Sequence, residues 1–218
     1  MKKAIVVLLI CSLFVLACIG FVGCSKPEKC SAKYEVLDDD EANLDARVNQ
    51  TANAIRALLV ENDFKGVVVR IGESDGKRVI SVEINYSKEA KHMLDLIGRP
   101  ASLYFTLEQS DDPKSVAFIN GKDHLERAYV TTDNDGNYAI GLDFNAAGAN
   151  ALCEATSNYN IGRTMYIYID GELMMSPRIN YTIVDSTAYI TGSYTYNEAS
   201  DYALILQFGA LSVNLRKI

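Results

Sequence analysis

The sequence predicts an α+β protein in two modules behind an apolar N-terminal segment. In the first module, residues with helical spacing and residues with strand alternation give the order β-α-β-β-α-β, which is the ferredoxin-like arrangement. In the second module, short alternating segments flank Asp-Gly turns, and two further helix patterns follow them. Of the 218 residues, 49% are apolar, which is enough to bury a core in each module.

The N-terminal segment has the composition of an export signal or a membrane anchor. Residues 4–23 follow two lysines, carry no charge and are long enough to span a bilayer. Cys24 ends a stretch that resembles a bacterial lipobox, in which the cysteine is acylated. Cys18 ends a second such stretch, and an uncleaved helix is the third alternative. We therefore expect residues 1–23 to be a signal peptide or anchor, with the chain on the extracytoplasmic face of the cell membrane.

The first module follows a tether and contains two predicted helices. The segment 24–32 is short and polar and contains a proline, which is typical of a linker. The elements predicted after it are a strand at 33–37, a helix with an apolar stripe from Leu44 to Leu59, paired strands at 66–72 and 78–85, a helix from Ser87 to Gly98, and a strand at 101–108. The strand at 101–108 is expected to complete the sheet of this module.

The second module follows a polar connection at 109–125. Its predicted elements are two strands around Asp135-Gly136, a helix from Asn145, two strands around Asp170-Gly171, a strand at 186–194, a helix closed by Gly209, and a last strand at 210–215. Neighbouring residues of a strand point to opposite faces. Met174 and Met175 are therefore expected to divide between the core and solvent, and Pro177 to end the pairing.

The net charge bears on the class of partner, and the positions of the cysteines bear on whether disulfides are expected. A net charge of −7 argues against nucleic acid, because phosphate binding needs a face rich in lysine and arginine. Cys30 falls in the predicted tether and Cys153 on the apolar face of a predicted helix. This placement does not suggest a disulfide framework, although the destination outside the cytoplasm is oxidising.

The motifs that mark metal sites and active sites do not occur in this chain. When Gly136 is placed at position 6 of a calcium-binding loop, Thr131 and Leu142 fall at the first and last ligand positions, where they cannot serve. Two adjacent methionines on opposite faces of a strand cannot converge on one ion. We predict no metal, no cofactor and no catalytic residue, and therefore no enzyme.

The last third of the chain carries the most specific pattern. Its elements are Gly162-Arg163, Asp170-Gly171, Ser176-Pro177, Ile190-Thr191-Gly192, Glu198-Ala199 and Gly209-Ala210-Leu211. Together they resemble the end of the first periplasmic domain of SecD, a bacterial protein-export subunit. A weaker likeness begins at about residue 45. Ser212 stands where that family has proline, and Met175-Ser176 stands where it has Ser-Ala.

The resemblance implies a ferredoxin-like base subdomain into which an α+β head subdomain is inserted. On this basis the base covers 33–115 and is completed by 195–218, and the head covers 116–194. The family domain binds rather than reacts, so no catalytic residue is carried over. Because the family's later membrane helices would follow Ile218, the chain is expected to have no proton channel of its own.

The function implied by the resemblance is binding of exported polypeptide, of Sec translocase components, or of both. Met174, Met175 and Tyr194 are the expected polypeptide-contacting residues, since methionine and tyrosine make adaptable apolar surfaces. The alternative is an envelope lipoprotein that uses the same fold for an unrelated structural or regulatory role. An exposed apolar patch on the head favours the first function, and an acidic, patch-free head favours the second.

Overall fold

The computed structural model describes residues 27–38 and 43–218, and they form the predicted α+β fold. The predicted signal or anchor at 1–23, with the candidate lipid-attachment residues Cys24 and Cys18, lies outside the described residues. Among the helices that are described, none combines the length and the apolar character needed to cross a membrane.

The helices and strands follow one another in a mixed order. They are β1 (Lys29–Val36), α1 (Leu44–Glu61), β2 (Val68–Ser74), β3 (Lys77–Asn85), α2 (Lys88–Ile97), β4 (Leu103–Thr106), α3 (Pro113–Val116), β5 (Ile119–Asn120), α4 (Gly121–His124), β6 (Leu125–Thr132), β7 (Tyr138–Phe144), α5 (Ala146–Ala155), a 3₁₀ turn (Asn158–Asn160), β8 (Tyr166–Ile169), β9 (Glu172–Met175), β10 (Thr187–Tyr194), α6 (Tyr196–Gly209) and β11 (Leu215–Lys217).

The base is a four-stranded antiparallel sheet with the ferredoxin-like order β11-β1-β3-β2. Helices α1 and α2 cover one face of this sheet. The buried stripe of α1 is the predicted one, with a spacing of three to four residues: Val48, Thr51, Ala52, Ile55 and Leu59. Helix α2 begins at Ser87, whose hydroxyl accepts the N–H of Ala90 at 2.9 Å.

Two details of the base differ from the sequence expectation. The segment 101–108 does not supply the fourth strand, because β4 pairs with β5 and β8 in the head. The fourth position is taken by β11, which pairs with β1 from Tyr34 to Val36. In addition, β1 begins at Lys29, so that residues 29–32 belong to the sheet rather than to the tether. An alternating strand pattern fits either sheet equally well, and only long-range pairing decides between them.

Tyr34 joins the sheet to helix α2 and gives a stability prediction. Its ring is fully buried, and its hydroxyl donates to the Leu94 carbonyl at 2.6 Å. Burial, followed by the charge of Asp95, raises the pKa of the Tyr34 hydroxyl well above its usual range. We expect Tyr34→Phe to lower the free energy of unfolding by about 1 kcal/mol, because a buried carbonyl loses its donor. Chemical denaturation measures this change, and Tyr86→Phe, at an exposed ring, should leave the midpoint unmoved.

The head contains two antiparallel sheets, β10-β7-β6 and β5-β4-β8-β9, that contribute to one core. Phe105 of β4 is fully buried and meets Phe118 and Phe144 edge-on, with ring centroids 6.3 and 5.7 Å apart. Helix α5 begins where the Asn145 side chain accepts the N–H of Gly148 at 3.0 Å.

Helix α6 belongs to both subdomains. It starts at a capping box, in which the Thr195 hydroxyl accepts the N–H of Glu198 and the Glu198 carboxylate accepts the N–H of Thr195. Its buried side chains divide between the two cores: Ala199, Ala203 and Leu206 in that of the head, and Leu204 and Phe208 in that of the base. The proposed domain limits stay predictions, since a shared helix leaves no single boundary.

Candidate polypeptide-binding surface

The β8–β9 hairpin carries the two methionines that the sequence analysis selected. Its turn residues Asp170 and Gly171 have φ values of 51° and 80°, the left-handed pair that a tight hairpin turn requires. The Asp170 carboxylate also accepts the N–H of Ser102 at 2.7 Å, and the Asp170 N–H donates back to the Ser102 carbonyl. The turn is therefore tied to the residue that precedes β4.

Met174 and Met175 do not alternate between the two faces of the strand. Ile167 lies opposite Met175 while the next residue, Tyr168, lies opposite Leu173, which leaves Met174 as an extra residue in β9. Such a bulge interrupts the alternation of side chains. Both methionines are half-buried against the head core, and the expected division between core and solvent is not observed.

Tyr194, the third selected residue, lies at the end of β10. Its half-buried ring packs edge-on against Tyr202 of α6, with centroids 5.8 Å apart. Burial, followed by the neighbouring Tyr202, raises the pKa of the Tyr194 hydroxyl. All three selected residues thus lie at the margin of the head core, and their contact with polypeptide stays a prediction.

Two loops of the head, at 156–165 and 176–186, run side by side, and we call them the paired loops. Four hydrogen bonds join them: Gly162 N–H to Ile179 O at 2.8 Å, Ile179 N–H to Arg163 O at 2.9 Å, Met165 N–H to Pro177 O at 2.9 Å, and Ile183 N–H to Thr156 Oγ1 at 2.8 Å. Ile179, in the second loop, is buried in the head core and so fixes this loop to the head. These bonds hold the backbone of both loops in place, although the loops contain no α-helix or long strand.

The paired loops expose four large apolar side chains. Tyr159 is 96% exposed, Val184 76%, Tyr181 71% and Ile161 45%. Isolated apolar residues are ordinary on a protein surface, but four on two adjoining loops are typical of an interaction site. These four residues were not predicted from the sequence, although apolar residues inside the turn-rich stretches "NYNIG" and "NYTIV" were an available signal.

A cluster of polar side chains on the three-stranded head sheet β10-β7-β6 borders a cleft between head and base. The Asp143 carboxylate accepts hydrogen bonds from Arg127 Nη2 at 3.0 Å, Thr187 Oγ1 at 3.1 Å and Tyr129 Oη at 3.2 Å. Burial, followed by the Asp143 charge, raises the pKa of the Tyr129 hydroxyl. The cleft measures about 760 Å³ and receives Leu58 from α1. Because the four polar side chains satisfy one another, we assign the cluster a stabilising role.

The stretch compared with a calcium loop is a hairpin turn. Hydrogen bonds from Asn137, then from the N–H of Asp135, hold the pKa of Asp133 below its usual range. Within residues 27–38 and 43–218, no three His, Cys, Asp or Glu side chains come together closely enough to hold a metal ion. The two cysteines of the described part, Cys30 and Cys153, both carry free thiols.

A protein-family model matches a large part of the C-terminal half of the chain. Residues 108–213 match the family model for the SecDF P1 head subdomain. The chain belongs to the SecDF P1 family. This match contains both paired loops and the whole of α6. The resemblance noted from the sequence motifs is thereby confirmed.

Curated relatives of this SecDF P1 domain carry the name protein translocase subunit SecD. The protein from Sebaldella termitidis is 30% identical over 187 residues, which are 85% of this chain and 45% of the relative. The proteins from Acidaminococcus fermentans and Dictyoglomus turgidum are also 30% identical, over 84% and 80% of this chain and 40% and 41% of their own length. The chain thus spans less than half the length of these relatives.

Solved SecDF structures share the fold. One, described as a membrane component SecDF that enhances protein export, matches with a TM-score of 0.65 and 22% identity over 86% of this chain and 97% of its own. A second, SecDF in a super-membrane-facing form, matches with a TM-score of 0.66 and 22% identity over the whole of this chain and 35% of its own. The ferredoxin-like base with an inserted head is therefore the fold of this SecDF P1 domain.

Proposed function

We propose that this chain is a membrane-anchored extracytoplasmic domain that binds exported polypeptide and so assists protein translocation. The paired loops are the binding surface in this proposal, and the head margin with Met174, Met175 and Tyr194 supports them. The anchor is the N-terminal apolar segment, through lipid on Cys24, on Cys18, or as an uncleaved helix. Docking on a Sec translocase component is the other use that the same surface could serve.

The link to translocation is supported by the family. The relatives are named protein translocase subunits, and a solved SecDF is described as enhancing protein export. Those names belong to proteins more than twice the length of the matched segment. The client and the translocase partner of this chain are therefore part of the proposal.

The single observation that carries the proposal is the exposure of Tyr159, Ile161, Tyr181 and Val184 on the paired loops. An exported chain that has not folded presents apolar side chains to water, and contact with this surface would bury apolar area on both sides. Half-buried methionines next to such a surface can repack around different side chains, which suits clients of many sequences. The same exposure argues against the alternative of an unrelated envelope lipoprotein, for which a patch-free head was expected.

Site-specific photo-crosslinking tests this function. We expect a photoreactive phenylalanine analogue in place of Tyr181 to crosslink exported polypeptides during translocation. The same analogue in place of Tyr86, an equally aromatic and 52% exposed position on the base, is the matched control. The yield at Tyr181 should exceed that at Tyr86 by about fivefold, and Val184→Asp should reduce it by placing a charge in the apolar surface.

The pattern of crosslinked products separates the possible partners. A broad range of masses corresponds to exported polypeptides, and one discrete product corresponds to a translocase component. Equal yields at Tyr181 and Tyr86, or no product with either class of partner, would contradict binding at the paired loops. Such a result would favour the envelope role unrelated to export.

A further inference from the structure

Within the described residues, the outer face of the base sheet is covered by no helix, because α1 and α2 pack on the opposite face. Strand register places the following residues on this outer face: Lys29, Lys33 and Glu35 of β1, Lys77, Ser81 and Glu83 of β3, Arg70 and Gly72 of β2, and Arg216 of β11. We call this surface the open base face. It carries five cations against two carboxylates, although the whole chain has a net charge of −7.

Three of the five cations form salt bridges within the open base face, where they share two carboxylates. Lys29 pairs with Glu83. The Glu35 carboxylate pairs with both Lys77 Nζ and Arg216 Nη2, at an N–O distance of 2.7 Å in each case. Lys33 and Arg70 form no salt bridge with any residue in the described part of the chain, and both are exposed. Both lie in register with Ser81, so they flank it from the two neighbouring strands.

Short side chains leave room between these two cations. Ser31, Gly72 and Ser81 line a shallow depression of about 430 Å³. The charged side chains in its lining are Lys33, Arg70, Glu73 and Glu83, and Glu83 is the carboxylate that pairs with Lys29. Lysine and arginine are the side chains that bind phosphate, one as a compact charge and the other as a planar fork. Lys33 and Arg70 therefore supply the chemistry that binds phosphate-bearing headgroups, and the excess of positive charge belongs to the open base face as a whole.

The position of the open base face along the chain brings it near a membrane. Strand β1 begins at Lys29, six residues after the apolar run ends at residue 23. Six residues span at most about 20 Å when fully extended. This step rests on the proposed anchor: if the apolar run lies in the bilayer, the open base face is within that distance of the headgroups.

We propose that the open base face docks on the anionic phospholipid headgroups of the membrane, with Lys33 and Arg70 contacting lipid phosphates. An anionic bilayer attracts basic residues over about one Debye length, which is about 8–10 Å at moderate salt. The remainder of the chain is net acidic, so the same field repels it. The base is thereby oriented with this face toward the bilayer, and the head and its paired loops are held at a fixed height above it.

A tryptophan reporter tests the docking, because the chain contains no tryptophan of its own. The full-length Ser31→Trp protein is reconstituted in phosphatidylcholine vesicles that carry a headgroup-attached quencher, with or without about 30 mol% phosphatidylglycerol. Quenching of the introduced indole should rise about twofold in the anionic vesicles and fall again when salt is added. Val60→Trp, on the exposed side of α1 in the other layer of the base, should show the same quenching in both vesicles.

The charge-reversed variant Lys33→Glu/Arg70→Glu breaks no salt bridge among the described residues, so its fold should be retained. Its thermal midpoint should fall only slightly, because Glu83 loses the favourable charge of Arg70. When it is combined with Ser31→Trp, we expect the quenching of the indole to return to the level of neutral vesicles. Equal quenching with and without phosphatidylglycerol, or quenching that survives the charge reversal, would overturn the proposal. If quenching instead rises with the ratio of protein to lipid, whatever the lipid charge, the open base face would be assigned to contact with a second copy of the chain, which would also overturn the proposal. Crosslinking at Tyr181 does not depend on this face, so failure of either proposal is distinguishable from failure of the other.

Discussion

Phe105→Ala is expected to lower the free energy of unfolding by about 3–5 kcal/mol. The Phe105 side chain is fully buried at the centre of the head core, between the rings of Phe118 and Phe144. Its removal loses both the burial of the ring and the edge-on contacts, and leaves a cavity that close-packed neighbours fill only in part. The loss is a large fraction of the stability of a typical domain.

The same variant should also destabilise the base, although Phe105 lies in the head. Helix α6 contributes Leu206 to the head core and Phe208 to the base core, and β11 reaches the base sheet only after α6. We therefore expect one cooperative transition, with the head and base unfolding together.

Thermal and chemical unfolding followed by circular dichroism measure the loss, and amide hydrogen exchange at Ile80 and Val82 in β3 reports on the base separately. Phe105→Leu, which keeps most of the volume, is the control and should cost less than about 1.5 kcal/mol. Two separate transitions, with exchange in β3 unchanged, would show that the head unfolds alone and would contradict the shared-helix argument.

Gly209→Ala is the second change with a large expected effect. Gly209 ends α6, and a Cβ atom there would lie 1.8 Å from the carbonyl oxygen of Ala101. Ala101 is itself fixed, because its N–H donates to the Ile205 carbonyl of the same helix at 2.9 Å. The clash is with backbone, so the chain must shift where it passes from α2 into the head. We expect a loss of about 3 kcal/mol, at the upper end of the range for overpacking.

Gly72→Ala is the matched control for this change. Gly72 lies in β2 on the open base face, and a Cβ atom there would have no neighbour within 4 Å. Its midpoint in urea should equal or slightly exceed that of the original protein, because alanine restricts the unfolded chain more than glycine does. If Gly209→Ala were as stable as Gly72→Ala, the close approach of α6 to Ala101 would not be a constraint on this fold.

The close approach at Gly209 also explains part of the sequence pattern from which the family was inferred. Gly209-Ala210-Leu211 matched the family motif letter by letter, but the letters alone gave no physical reason for glycine. The reason is a contact with Ala101, more than one hundred residues earlier in the chain. A motif can therefore identify a family while the contact that requires it stays invisible in the sequence.

Periodicity by itself determined the elements of this protein and much of its class. The stripe of α1, the cap of α2 at Ser87 and the turn at Asp170-Gly171 were all predictable, because each depends on residues within a few positions of one another. The SecD resemblance was predictable for a related reason, since short motifs at local spacing carried it, and it implied the insertion of the head.

Tertiary structure alone decided which strands pair and which apolar side chains remain exposed. β4 pairs within a head sheet although the base was expected to include it, and Met174 and Met175 are both half-buried at a bulge in β9. The exposure of Tyr181 and its neighbours likewise depends on hydrogen bonds between two separate loops, which no periodic pattern of residues predicts. A local pattern indicates that a face of a helix or strand is apolar. Whether another segment covers that face or leaves it exposed depends on tertiary contacts, which the local pattern does not contain.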